Sequence, residues 1–135
     1  PPPHTPRRYR DFVAILTMSL IAKRFARNEA AYTAEEMAEE CQIPIRLMHQ
    51  TLDDLQEIGL LHEVASDKKS EEVSYQPSID INQLNVAMLL DKLYTHGSED
   101  FKIDREQEYS AEWQTLVKAR EDYYKNASTV LLKDL

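Results

Sequence analysis

The sequence predicts a mainly α-helical fold with a small β-hairpin wing: a winged helix-turn-helix with extra C-terminal helices. Residues 32–64 run as a short helix, a tight turn, a second helix and a strand with almost no slack. That is the layout of a helix-turn-helix feeding a hairpin. Elsewhere apolar residues recur at three- and four-residue spacing, the period of a helix with one covered face. Only two glycines are present, Gly59 and Gly97. A glycine-rich phosphate loop and a turn-dense β-sandwich are thereby excluded.

The 135 residues suit one domain. Residues 1–6 form an extended, proline-rich leader. Residues 7–97 form the winged helix-turn-helix domain. Residues 98–135 form a linker and a C-terminal helix that packs on the domain or on a dimer mate. The start at Pro1-Pro2-Pro3, without an initiator Met, reads as a piece of a longer chain.

The first helix is expected over residues 7–26. Tyr9, Phe12, Val13, Leu16 and Leu20 mark its stripe, widened by Ile15, Met18, Ile21, Ala22 and Phe25. Its apolar run, residues 12–22, is too short to span a bilayer, which needs about 20 residues. Lys23 and Arg24 close it on the side where a signal peptide would carry its cleavage site. Thr33 and Glu36 have the spacing of a capping box for a helix over 34–41. Met37, Ala38 and Cys41 are expected inside, and Glu35, Glu36, Glu39 and Glu40 in water. Ile43 marks the turn, and Pro44 suits the start of the next helix. Ile45, Met48, Leu52 and Leu55 are its expected inner stripe, and Gly59 its left-handed stop.

Residues 60–65 and 73–76 then read as the two strands of the wing, with residues 66–72 as its polar tip. Asp80, with Gln83 three positions on, is the expected cap of the following helix, which Gly97 ends. Phe101 and Ile103 are expected to tack the linker, residues 98–109, onto the body. Ser110 is the expected cap of a last helix to about residue 126. Val130, Leu131, Leu132 and Leu135 are apolar enough to dock.

Charge separates the possible functions. The chain carries −8 in total, yet residues 1–27 hold Arg7, Arg8, Arg10, Lys23, Arg24 and Arg27 against Asp11 alone. This basic head on an acidic body fits a membrane-proximal segment, because Lys and Arg accumulate on the cytosolic side of membrane spans. On the reading helix, Arg46, His49 and Gln50 occupy the outward positions that would reach base edges, and Lys68 and Lys69 are the candidate wing contacts. Asp53, Asp54 and Glu57 outweigh Arg46 on that helix, and Asp67, Glu71 and Glu72 outweigh the wing lysines. DNA affinity rests largely on neutralising phosphates, so nucleic acid is disfavoured.

His4, His49, His62 and His96 lack metal-ligand spacing, and the single Cys41 offers neither a disulfide nor a thiolate cluster. No nucleophile-elbow motif is present. No catalytic residue, metal or cofactor is expected. Trp113, Leu116, Val117 and Tyr124 share one face of the last helix and are the candidate homodimer interface.

Two family resemblances add to this. Tyr9–Phe12, Tyr32-Thr33-Ala34-Glu35-Glu36-Met37-Ala38, Ile43-Pro44, Leu55-Gln56-Glu57-Ile58-Gly59-Leu60-Leu61 and Ile79-Asp80-Ile81 resemble bacterial winged-helix regulators of the IscR/NsrR type over residues 8–97. The resemblance implies a winged helix and a trailing dimerisation helix. The iron–sulfur cluster that such regulators often hold through three linker cysteines is not implied, since residues 98–109 contain none.

Arg7-Arg8-Tyr9-Arg10-Asp11-Phe12, Tyr75-Gln76-Pro77-Ser78-Ile79-Asp80-Ile81-Asn82 and His96-Gly97-Ser98-Glu99-Asp100-Phe101 resemble the C-terminal cytosolic domain of the YihY/BrkB family, formerly labelled ribonuclease BN. This implies a non-catalytic interaction or regulatory domain on the cytoplasmic face of the bacterial inner membrane, tethered through spans outside this chain, with a protein or a second copy as partner. The alternative is a sequence-specific DNA-binding regulator of the IscR/NsrR type without the cluster.

Overall fold

Helix α1 (Arg7–Ala26) is covered on several sides, because a helix apolar over most of its circumference has no face to leave in water. In the computed structural model, which describes residues 4–66 and 72–135, it packs against every layer of the molecule. Helix α3 (Ile45–Glu57), strand β2 (Val73–Pro77), helix α4 (Val86–Tyr94) and a C-terminal 3₁₀ turn (Leu132–Asp134) all contact it. Helix α2 (Ala34–Cys41) packs on α3, strand β1 (Leu61–Ala65) pairs with β2, and helix α5 (Ser110–Ala127) packs on α4. Val13, Ala14, Met18, Ile21 and Ala22 of α1 are buried with Met37, Met48, Leu52, Leu55, Leu60, Leu84, Leu89 and Leu132. Thr17 lies among them fully buried, and its hydroxyl donates to the Val13 carbonyl at 2.7 Å, so no polar atom is stranded there.

Helices α1, α2 and α3 stop in the same way. Each places one residue in the left-handed region just past its end: Asn28 (φ 55°), Gln42 (φ 59°) and Gly59 (φ 81°). The amides of Glu29, Ile43 and Leu60 return to the carbonyls of Arg24, Ala38 and Leu55, at 2.9, 3.0 and 3.0 Å. This Schellman closure satisfies the last carbonyls and reverses the chain within two residues. It is why the connections in residues 7–61 are so short.

The hairpin is antiparallel, with Leu61 opposite Pro77, Glu63 opposite Tyr75 and Ala65 opposite Val73. The far edge of β2 is also occupied: the Tyr75 amide donates to the Tyr32 carbonyl at 3.0 Å, and Thr33 bridges Ser74. The expected wing tip, including Lys68 and Lys69, lies for the most part outside the described residues.

Several expectations give way to longer-range forces. Asp80 does not cap α4. It closes a local turn, its carboxylate accepting the Asn82 amide at 2.9 Å, and Asn85 caps the helix by accepting the Met88 amide at 2.8 Å. The chain stays extended before Asn85 because it pairs with the C-terminal segment: the Val86 amide donates to the Val130 carbonyl and the Leu132 amide to the Leu84 carbonyl.

Ser110 is the first residue of α5 rather than its cap, and Asp104 instead accepts the amides of Gln107 and Glu108. Ile45 is exposed at the start of α3, beyond the stripe of Met48, Leu52 and Leu55. Tyr9, Phe12 and Phe25 are exposed toward the two ends of α1. Phe101 and Ile103 do not tack the linker down; they are 74% and 66% exposed. Of the C-terminal residues Leu132 docks fully, whereas Leu135 is exposed.

Two outcomes follow from these contacts. A residue with a Cβ in the left-handed region costs about 1 kcal/mol relative to glycine. Gln42→Gly is therefore expected to raise the thermal midpoint by about 4 °C. Gly59→Ala should lower it similarly, since a Cβ at Gly59 meets nothing within 4 Å and only the φ of +81° opposes it. The second outcome concerns Tyr32. Its hydroxyl donates to Glu40 at 2.6 Å, and burial together with that bond pushes its pKa from 10.0 to about 12 against the nearby Arg24. A raised folded pKa contributes stability in full below pH 10, and this is lost as pH climbs toward 12. An ultraviolet alkaline titration should show a tyrosine ionising near pH 12 that Tyr32→Phe removes.

Candidate nucleic-acid interface

Helix α3 is presented by the turn before it. The Thr33 hydroxyl accepts the Glu36 amide at 3.2 Å, and the Glu36 carboxylate accepts the Thr33 amide at 3.0 Å. This reciprocal cap fixes where α2 begins. Met37, Ala38 and Ile43 are buried, which seats α2 and the turn on the core. Pro44, extended at ψ 135°, then opens α3. Met48, Leu52 and Leu55 face inward, so Arg46, His49, Gln50 and Asp53 are left exposed on the opposite side.

Charge on α3 is segregated along its axis. Arg46 is the only formally charged residue of the first half, and Asp53, Asp54 and Glu57 all lie in the second. Two of those three acids are engaged. The Glu57 carboxylate meets His96 Nε2 at 2.8 Å, just beyond the end of α4. Asp54 is partly buried, and burial raises its carboxyl first, with Glu57 adding to the rise and His96 and Arg10 opposing it. His49 Nε2 stands 3.9 Å from Glu35 of α2, with both side chains half exposed. In a helix-turn-helix the first turns of the second helix approach base edges, and these are the turns without acidic residues.

The basic head expected from the sequence is two clusters. Helix α1 has 20 residues and spans about 30 Å, so its ends cannot share one site. Arg7, Arg8 and Arg10 at its start line a cavity whose other wall includes Gln50, Thr51 and Asp54 of α3. Lys23, Arg24 and Arg27 sit at the opposite end. There Arg24 is tied inward: it donates to the Ala30 carbonyl at 3.1 Å, its guanidinium lies 3.4 Å from the centre of the Tyr32 ring, and Glu36 is 3.8 Å away. Arg27 pairs with Glu29 at 3.9 Å. The arginines beside the reading helix were thus legible as charge but not as neighbours of α3.

On α5, Trp113, Leu116, Val117 and Tyr124 line a groove against α4, and no residue of the helix is fully buried. Leu116 is 44% exposed. Arg105 from the linker stacks over Trp113 at 4.4 Å and pairs with Glu99 at 3.2 Å. Arg120, on the same helix, was not singled out from the sequence. Its guanidinium lies 3.7 Å from the Tyr94 ring centre and 4.5 Å from that of Tyr123, and it donates to the Tyr124 hydroxyl at 3.2 Å. The spacing to Tyr123 and Tyr124 was available, since residues three and four apart on a helix are neighbours. Tyr94 was not.

The remaining polar groups are dispersed. His62 Nδ1 is 2.8 Å from the Ser78 hydroxyl, on the wing. Burial, then Glu40, pushes the Cys41 thiol up, away from thiolate chemistry. Among the described residues no cluster of His, Cys, Asp or Glu is arranged to hold a metal, and no helix is long and apolar enough to cross a membrane.

No protein-family model and no curated protein matches the chain. Solved structures do match it. CymR of Staphylococcus aureus superposes with a TM-score of 0.63 at 18% identity, over 93% of each chain. CymR of B. subtilis, described as the global cysteine regulator, does so at 0.63 and 13% identity, over 98% of this chain and 95% of that one. IscR of T. potens gives 0.61 at 15% identity, over 98% and 85%. The resemblance to the YihY/BrkB family and its membrane tether finds no support in these likenesses. At such identities they establish architecture: the chain has the winged-helix fold of CymR and IscR, mainly helical with one antiparallel hairpin, along nearly its whole length.

Proposed function

We propose that this chain is a non-catalytic, DNA-binding transcriptional regulator that works in the cytoplasm and reads duplex DNA with the first half of α3. The observation that carries this is the segregation of charge around that helix. Arg46, His49 and Gln50 are exposed on turns of α3 free of acidic residues, and Arg7, Arg8 and Arg10 of α1 line a cavity together with Gln50. Arg and Gln are the side chains that pair bidentately with guanine and adenine edges, and flanking arginines suit phosphate. The likeness to a protein described as a global regulator supports the same reading.

The total of −8 favours a second use of the same face, contact with a protein. Under the DNA reading that charge has a definite meaning. It lowers sequence-independent affinity, so discrimination rests on base contacts more than on bulk attraction.

The dimer contact belongs on α5, through Trp113, Leu116, Val117 and Tyr124. A helix with no buried residue in the single chain and an exposed Leu116 has apolar area to give to a second copy. A two-fold dimer would present two α3 helices to successive major grooves.

Selection of genomic fragments on the purified chain should recover a two-fold symmetric site. On that site Arg46→Ala or Gln50→Ala is expected to weaken binding roughly 5- to 150-fold by fluorescence anisotropy. Arg8→Ala should instead weaken all duplexes alike and reduce the salt slope by about one. Equal affinity for selected and scrambled duplexes would favour the protein-contact reading. Separately, Leu116→Glu is expected to shift the chain from dimer to monomer in sedimentation; a monomeric wild type would remove α5 as the interface.

A further inference from the structure

The cavity between the start of α1, α3, α4 and α5 has a volume of about 880 Å³. That is within the range of roughly 300–1,000 Å³ usual for small-molecule sites. Its charge is opposite to that of the chain. Four arginines, Arg7, Arg8, Arg10 and Arg120, line it against Asp11 and Asp54, together with His96, in a chain of net charge −8. A recess lined by one sign of charge concentrates ligands of the other. Burial raises the Asp11 carboxyl, while Arg120, Arg10 and Arg7 act to lower it, so four arginines face two carboxylates.

The walls are also aromatic. Phe12 and Tyr123 line the cavity with 55% and 51% of their surface exposed, and Tyr94 lies under Arg120. Arg120 supplies a further signal. Its Nε is buried and has no hydrogen-bond acceptor, although its Nη2 is satisfied by the Tyr124 hydroxyl. A buried donor left unmet is unfavourable, and a carboxylate or phosphate beside the guanidinium would meet it with a charge-assisted bond.

We infer that this cavity is a binding site for a planar organic anion. Its acid group would be held by Arg120 and the α1 arginines, and its ring would stack between Phe12 and Tyr123. Phosphate alone would use the cations and leave the aromatic walls unoccupied. An apolar ring alone would leave the cations unpaired. Gln50 and Thr51 of α3 share the wall, so the occupant would lie against the reading helix. The binding itself does not rest on the DNA reading; only its consequence for DNA would.

The test is isothermal titration of the full chain at pH 7 with three probes: 2-naphthoate, the uncharged 2-naphthol, and inorganic phosphate. The expected result is saturable 2-naphthoate binding with both controls at least tenfold weaker. Arg120→Gln and Tyr123→Ala should each weaken 2-naphthoate at least tenfold, in variants whose thermal unfolding without ligand remains cooperative. Because Tyr123 is half exposed on a surface helix, its truncation is expected to leave the fold intact even if the Arg120 variant does not. Absence of 2-naphthoate binding overturns the inference. So does equal binding of either control, or binding indifferent to Tyr123→Ala. DNA is absent from every arm, so failure here leaves the DNA reading standing, and failure of DNA binding leaves this site standing.

Discussion

Covering α1 is the constraint on which the rest of the structure depends. A 20-residue helix with Val13, Ala14, Met18, Ile21 and Ala22 buried needs neighbours on more than one side. Helix α3 and β2 supply part of the cover, and α4 and the C-terminal 3₁₀ turn supply the rest. The last of these dictates features far from it in sequence. To bring Leu132 onto α1 fully buried, residues 130–132 lie along residues 84–86 and exchange backbone hydrogen bonds with them. Leu84 and Asn85 are thereby held out of helix, and α4 begins at Val86. One docked leucine and two backbone bonds thus fix where α4 begins, the helix that leads to Tyr94 and, just past its end, to His96 beside α3.

What could be read from the sequence follows the range of the forces involved. The capping box of Thr33 and Glu36, the left-handed stop at Gly59 and the inner residues Met48, Leu52 and Leu55 are decided within one or two turns. Local spacing was enough to find them. The cap of α4 was misassigned because Asp80 has the right local spacing but the competing partner, residues 130–132, lies about fifty residues on. Phe101 and Ile103 were expected to dock on composition alone. Hydrophobicity favours burial but does not say what is within reach, and in the described chain they face water. The left-handed Gln42 carried no sequence signal, because its conformation is imposed by the closure onto Ala38 rather than favoured by its side chain.

The candidate interface can be named from the residues of α3, but the charges around it cannot be placed from the sequence, for a definable reason. Adding charges along α3 treats them as if they occupied one point. Screening in physiological salt falls off over about 8 Å, whereas a 13-residue helix extends over about 20 Å. Arg46 therefore sees little of Glu57, which is in any case bound to His96. Conversely Arg7, Arg8 and Arg10 are remote in sequence and adjacent in space, and they belong in the account of α3 although no sum along that helix contains them. Arg24 shows the opposite error. It was counted as part of a basic surface, but a carbonyl, a tyrosine ring and a glutamate already use its charge.

Under the proposed DNA reading, these placements would let an acidic chain keep one face for DNA. The negative surplus is carried by residues 28–135 as a whole, but the first half of α3 itself holds no acid, Glu57 in its second half is paired with His96, and Glu35 of α2 stands beside His49. On that reading such an arrangement would give weak attraction to DNA in general and leave discrimination to a few side chains. Because α1 holds both the arginines beside α3 and the buried stripe that organises the core, its first turn is rigidly coupled to the fold. Arg7, Arg8 and Arg10 are therefore set relative to Gln50 by the packing of α1 on α3, and Arg120 of α5 lines the same cavity. The geometry of the candidate interface is accordingly set by the helix-turn-helix and by α1, on which α3 packs.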